Sequence, residues 1–217
     1  MYTISDLYDL QHTQAREYLQ QFTYPWEALP GIKEMILALG QSLGEEYTQV
    51  SPNVWVHNTA TVAPTAYLGA PSIIGAGTEV RHGAFVRGAA LVGEGCVVGN
   101  SVELKNVILF DKVQVPHYNY VGDSILGYKA HMGAGSITSN VKSDKTLVVI
   151  HCQPEIPTGI KKVGALLGDR VEIGCNSVLN PGTVVGRDSS IYPVSNVRGV
   201  IPENSIYKTG GVIVTKR

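Results

Sequence analysis

Cysteine is scarce. The 217-residue chain holds three, Cys96, Cys152 and Cys175, an odd count without CxxC spacing. A disulfide framework and a cysteine-rich metal knuckle are therefore excluded. Charge is scarce too: 16% of residues are charged, and 17 basic against 18 acidic side chains leave a net charge of −1. Nothing in that balance favours nucleic acid or a membrane surface as a partner. No stretch approaches the roughly 20 apolar residues of a membrane span. The opening MYTISDLYDL also lacks a basic-then-apolar leader pattern. These absences together predict a cytoplasmic protein in a reducing compartment.

What is present is a repeat. Aliphatic residues recur every six positions at Val56, Val62, Leu68, Ile74, Val80, Val86, Val92, Val98 and Leu104. The fifth position of each hexad is small or β-branched, as at Ala60, Ala66, Ser72, Thr78, Ala84, Ala90, Cys96 and Val102. A second run passes through Leu167, Ile173, Leu179, Val185, Ile191 and Val197. Neither the helical period nor plain strand alternation gives this spacing. A fixed hexapeptide period predicts a parallel β-helix. The 24 glycines and 11 prolines supply turn chemistry for its corners.

The expected organisation has three parts. Residues 1–50 lie outside the repeat. A helix capped by Ser5 and a second with Ile32, Met35, Ile36, Leu39 and Leu43 on one face are expected to cap the open first coil. Residues 51–198 form the β-helix, with five-residue slips at Leu104 to Leu109 and Val121 to Leu126. An inserted loop at 139–166 interrupts it, a length uncommon unless functional. Residues 199–217 form a C-terminal tail with a short strand at 212–214.

Three hexads make one triangular coil, so residues 18 apart stack. Arg87 then stacks on Lys105, with only Gly69 and Gly122 at the matching positions one coil to either side. Two like charges this close call for an anion, and guanidinium suits phosphate. A pair of solvated side chains is the alternative on pattern alone. His82, Asn100, His117 and Ala134 share a second face, beside a corner ladder of Phe85, Glu103, Tyr120 and Ile137. Glu103, one coil below His117, makes that histidine a candidate general base oriented by a carboxylate. Cys96 is a core filler by its position.

The stretch from Gly99 to Asn140, with GNSVELK, PHYNYVGDS and GAGSITSN at characteristic spacing, resembles the hexapeptide-repeat acetyltransferase domain of bifunctional N-acetylglucosamine-1-phosphate uridylyltransferase/glucosamine-1-phosphate acetyltransferases. The later GIKKVGALLGDRVEIGCNSVLNPGTVVG resembles the archaeal two-domain sugar-1-phosphate nucleotidylyltransferase/acetyltransferases, and Tyr24-Pro25-Trp26 resembles the linker before their β-helix. The resemblance implies an all-β, left-handed β-helix, an exception to the right-handed crossover rule. It implies a homotrimer that acetylates an amino-sugar 1-phosphate in nucleotide-sugar biosynthesis, with acetyl-CoA as co-substrate and no metal. His117 would take the amine proton. Arg87, Lys105, Tyr120 and Asn140 would hold the sugar phosphate, and His131 stands where the family has a sugar-contacting asparagine. Ala134, Cys175 and Pro193 would line the acetyl-CoA groove, with Lys145 matching a nearby lysine. Cys175 and Pro193 replace smaller residues, and the nucleotidylyltransferase signature has no counterpart here. A separate nucleotidylyltransferase is thus an expected partner.

Two other classes compete. One is a non-catalytic sugar-phosphate-binding or assembly subunit, suggested by the replacements at His131, Cys175 and Pro193. The other is a γ-type carbonic anhydrase. His82 and His117 are two coils apart, roughly 9.5 Å, and zinc needs each nitrogen at about 2.1 Å. One chain's pair cannot share a metal, and Gly122 stands where a third histidine would be needed. Lys161 and Lys162 in the insertion could reach CoA phosphates or form a solvated pair.

Overall fold

The structure, a computed structural model, describes residues 1–216. It is a left-handed parallel β-helix of about nine turns. The hexad residues point into its axis, where Val86, Val92, Val98, Leu104, Leu109, Val121 and Leu126 have no exposed surface. Successive coils stack in parallel register: Ile74 on Val92, Val80 on Val98, Val86 on Leu104 and Leu104 on Val121. Both five-residue slips hold, since Leu109 pairs with Leu126 while Leu104 pairs with Val121. The shortened coils stay in register because only a corner loses a residue.

Each coil has three faces. The strands Phe85–Val92, Glu103–Leu109 and Tyr120–Leu126 bend round one corner and so contribute to two of them. Their first residues make a face that continues through Ile137–Thr138, Val178–Leu179 and Asn196–Val197. Their last residues make a second face with Ser72–Ile74, Ala165–Leu167 and Thr183–Val185. The third face carries Val97–Asn100, Gln114–His117, His131–Met132 and Glu172–Ile173.

The N-terminal segment does not cap the first coil. It contains α1 (Ile4–Leu7), α2 (Arg16–Leu19) and α3 (Ile32–Gln41), with 3₁₀ turns at Leu10–His12 and Pro25–Gly31. Thr3, not Ser5, caps α1, in a reciprocal box with Asp6. The segment runs lengthwise along the second face. Tyr2 Oη accepts from the Glu203 amide, the Asp169 amide donates to Leu7 O, the Asp111 amide to Leu7's successor turn at His12 O, and α3 ends against Trp55. The reason lies in the second-face strands, which are apolar on both sides. Ala90, Val107 and Ala165 alternate with Leu91, Ile108 and Leu166, so the latter must point outward. They are nevertheless buried, as are Ile73, Ile125 and Val184. Leu7, Leu19, Leu29, Ile32 and Ile36 join them in one core. Covering each such side chain is worth about 1.5–3 kcal/mol. The first coil's edge is instead covered by Tyr47–Ser51, antiparallel to Val54–His57.

The insertion and tail also differ from expectation. Ala165 and Leu166 already belong to a strand, so the interruption ends at residue 164. It packs rather than dangles: Val149–Ile150 pairs antiparallel with Ile156–Pro157, and Val148, Ile150 and Val163 are buried. Beyond residue 198 the β-helix continues, with Val200–Ile201 stacked on Thr183–Val185 and Ser205–Tyr207 on Ser190–Ile191. Ile213–Thr215 then closes the last edge antiparallel to Ser205–Tyr207. Arg217 of the expected tail lies outside the described residues. Among the described residues no helix is long and apolar enough to cross a membrane.

Candidate active site

The first face is bounded by two corners, and the predicted residues divide between them. At one corner, where the third face ends, a single column runs His82, Asn100, His117, Ala134, Cys175, Pro193. Asn100 pairs with His117, and its side-chain amide donates to His82 O at 3.1 Å. The amides of Gly135, Asn176 and Val194 donate to the carbonyls of His117, Ala134 and Cys175 at 3.0, 2.9 and 2.8 Å. The chain turns here through left-handed residues: Ser101, Tyr118, Asn176 and Val194 have φ of 53, 52, 55 and 56°. His117, Cys175 and Pro193 are exposed and Ala134 is half-buried. Next to the column stands the ladder Phe85, Glu103, Tyr120, Ile137, as expected.

The unneutralised cation pair is not found. A register shift after Val86 places Gly88, not Arg87, opposite Lys105. Arg87 turns to Glu103, Nη1 to Oε1 at 2.9 Å. Lys105 is held by Asp123, with Nζ at 2.9 and 3.0 Å from the two carboxylate oxygens. Each cation thus has its own carboxylate. Glu103, engaged with Arg87, does not orient His117, whose ring makes no hydrogen bond among the described residues.

Asp123 is the residue that sequence reasoning passed over. It follows Gly122, on the turn between first and second faces, with φ 47°. Its carboxylate accepts from Lys105, from Asn106 Nδ2 at 2.9 Å and from Asn140 Nδ2. Asn140 Nδ2 also donates to Tyr120 Oη at 3.2 Å. Burial raises the Tyr120 phenol above its ordinary pKa, and the Asp123 and Glu103 carboxylates push the same way. Tyr120 therefore stays a neutral hydroxyl, able to donate outward. Lys105, Tyr120 and Asn140 are joined at one corner; His117 stands at the other end of the same short face.

His131 is elsewhere. It opens the third face, at a different corner from Lys105, and its Nδ1 lies 2.7 Å from Glu172 Oε2. Lys145 is exposed in the insertion with φ 61°, and no side-chain partner fixes it among the described residues. Lys161 and Lys162 flank a cleft of about 250 Å³ with Leu29, Pro30, Asn106 and Asp123. Among the described residues no three His, Cys, Asp or Glu side chains come together to hold a metal ion.

No protein-family model matches the chain. The bifunctional protein GlmU of Methanococcus maripaludis is 30% identical over 212 residues, which are 96% of this chain and 52% of that protein. A bifunctional sugar-1-phosphate nucleotidylyltransferase/acetyltransferase of Sulfurisphaera tokodaii is 31% identical over 109 residues, 50% of this chain and 27% of that one. The chain is similar to the C-terminal part of GlmU proteins. It spans about half the length of the GlmU protein it matches from end to end. Among solved structures, a mutant perosamine N-acetyltransferase from Caulobacter crescentus, in complex with CoA and GDP-perosamine, is 17% identical with a TM-score of 0.39, covering 73% of this chain and 55% of that one. The coil register places Arg87, Lys105, His117, Tyr120 and Asn140 on a single face and its two bounding corners.

Proposed function

We propose that the protein is an N-acetyltransferase that moves an acetyl group from acetyl-CoA to the amine of an amino-sugar 1-phosphate, in nucleotide-sugar biosynthesis. The observation that carries this reading is the exposed, unpartnered imidazole of His117 on the same face as the linked Lys105, Tyr120 and Asn140. An amine attacking a thioester must lose a proton, and His117 has a free ring nitrogen to receive it. Lys105 offers an ammonium, and Tyr120 a hydroxyl, to the phosphate oxygens; Arg87 can swing to the same anion from its exposed pairing with Glu103, which is worth little to stability. The column Ala134, Cys175, Pro193 runs straight from His117 and suits an extended chain laid along the coils. Acetyl-CoA supplies the activated acyl group there.

A single chain leaves the site open on one side, with His131 at a distant corner. We read the active form as a homotrimer in the cytoplasm, with a nucleotidylyltransferase taking the product onward. A binding subunit without turnover is the competing reading, favoured by the bulk of Cys175 and Pro193 in the His117 column. CoA release from acetyl-CoA in the presence of glucosamine 1-phosphate or galactosamine 1-phosphate decides between them. We expect turnover that falls by 10²–10⁴-fold in His117→Ala. A folded trimer inactive with both sugars would favour the binding subunit.

A further inference from the structure

We propose that Asp123 is a positioning residue of this site: its buried carboxylate fixes the direction in which Lys105, Tyr120 and Asn140 present their donors to the substrate's phosphate. The inference rests on the sugar-phosphate reading given above.

The corner itself does not require a charge. The equivalent residues on the two preceding coils, Ala89 and Asn106, adopt the same left-handed conformation, with φ 49 and 55° against 47° for Asp123. Both are neutral. Nor does stability call for one, because an ion pair withdrawn from water gains little over an apolar substitute. The Asp123 side chain is only 5% exposed. A carboxylate kept there at such cost is explained by what it holds.

It holds donors from separate segments. Oδ1 accepts from Lys105 Nζ and Asn106 Nδ2, both at 2.9 Å; Oδ2 accepts from Lys105 Nζ at 3.0 Å and from Asn140 Nδ2. Asn106 is anchored in turn to Leu29 O, at 3.1 Å, in the N-terminal cover. Asn140 stands at the mouth of the insertion, and the Gly164 amide at its far end donates to Asp123 O at 2.7 Å. The ammonium of Lys105, bridged by both carboxylate oxygens, has an N–H left over, and the side chain is 25% exposed. Asn140, fixed by Asp123, donates to Tyr120 Oη, which leaves the phenolic proton free to turn outward. One carboxylate therefore aligns an ammonium and a hydroxyl.

The test is binding of glucosamine 1-phosphate and of acetyl-CoA by calorimetry, with turnover measured in parallel. The proteins are the full chain, Asp123→Asn, Lys105→Met and the double variant. Asp123→Asn keeps the shape and removes the charge. It should weaken glucosamine 1-phosphate binding at least tenfold and raise KM accordingly, while acetyl-CoA binding and kcat change less than threefold. Added to Lys105→Met, which leaves only Tyr120 and Asn140 to be aligned, it should cost less than it does alone. Unchanged sugar-phosphate binding, an equal loss for acetyl-CoA, or independent losses in the double variant would each overturn the proposal. If the intact protein binds the sugar phosphate without turning it over, the acetyltransferase reading fails while the Asp123 comparison still stands. If it does not bind the sugar phosphate at all, both fall.

Discussion

The Lys105 ammonium and the Asp123 carboxylate face each other through two contacts, at 2.9 and 3.0 Å, yet the two ends are unequally buried: 25% of the lysine side chain is exposed and 5% of the aspartate. That inequality predicts an asymmetry. When Asp123→Asn removes the acid, the lysine head can turn to water. When Lys105→Met removes the base, the carboxylate has nowhere to go and keeps only amide partners. Breaking a buried pair from that side costs about 3–5 kcal/mol. Urea unfolding should show Lys105→Met as the more damaging change, and the double variant should regain more than half the loss. Equal losses from either side would mean that the pair is solvated in solution.

Gly40 and Trp55 supply a second prediction, against helix propensity. Gly40 lies within α3, where alanine is ordinarily better by about 1 kcal/mol. A Cβ built there would collide with Cζ3 of Trp55, a buried residue whose ring cannot step aside. Gly40→Ala should therefore destabilise, by about 1–3 kcal/mol as in other overpacked sites. A rise in melting temperature would mean that α3 does not press on the first coil.

These two sites mark where the sequence was readable and where it was not. The hexads and both slips were legible because the inward residues must fill a narrow axis, and a skipped residue such as that between Leu104 and Leu109 leaves a trace. The lateral cover was not. Its signal is the outward set Leu91, Ile108, Ile125 and Leu166, which are apolar where a solvated face would be polar. In strands of three residues that set looks like part of the inward pattern. At the site, the stacking of His117 on Ala134 and of Cys175 on Pro193 followed from counting coils, while the link between the two pairs across the insertion was implied by the family resemblance alone. The partners of Arg87 and Lys105 did not, because a register shift at Gly88 and a left-handed turn at Asp123 redirect side chains without altering the count.

Val194 sits in the His117 column's turn with φ 56° and 74% of its surface exposed. A β-branched side chain in the left-handed region is strained, and nothing buried compensates it. Its amide must stay, since it donates to Cys175 O at 2.8 Å. Val194→Gly keeps that bond and removes the strain. It should stabilise the protein by about 1 kcal/mol, or about 2–4 °C in melting temperature for a chain of this size. A lower melting temperature would indicate that Val194 is covered in the assembled protein, where its methyls earn a packing role.

Cys96 differs from the other two cysteines in a way pH can expose. Burial pushes its thiol up to about 12, and its Sγ lies 3.1 Å from Phe110 O. Cys175 is exposed and Cys152 half-buried. An aromatic disulfide reagent at pH 8 should therefore titrate at most two thiols in the folded protein and the third only after denaturation. The sign of the linkage follows. Cys96 is neutral in the folded state well above the pH at which an unfolded cysteine ionises, ordinarily about 8.5. Its contribution to stability is complete below that pH and is lost progressively as the pH rises toward 12. Cys96→Ala should flatten that alkaline decline between roughly pH 8.5 and 12, at the cost of a small cavity beside Phe110. A third thiol that reacts at pH 8 without unfolding would show that the coil around Cys96 opens in solution.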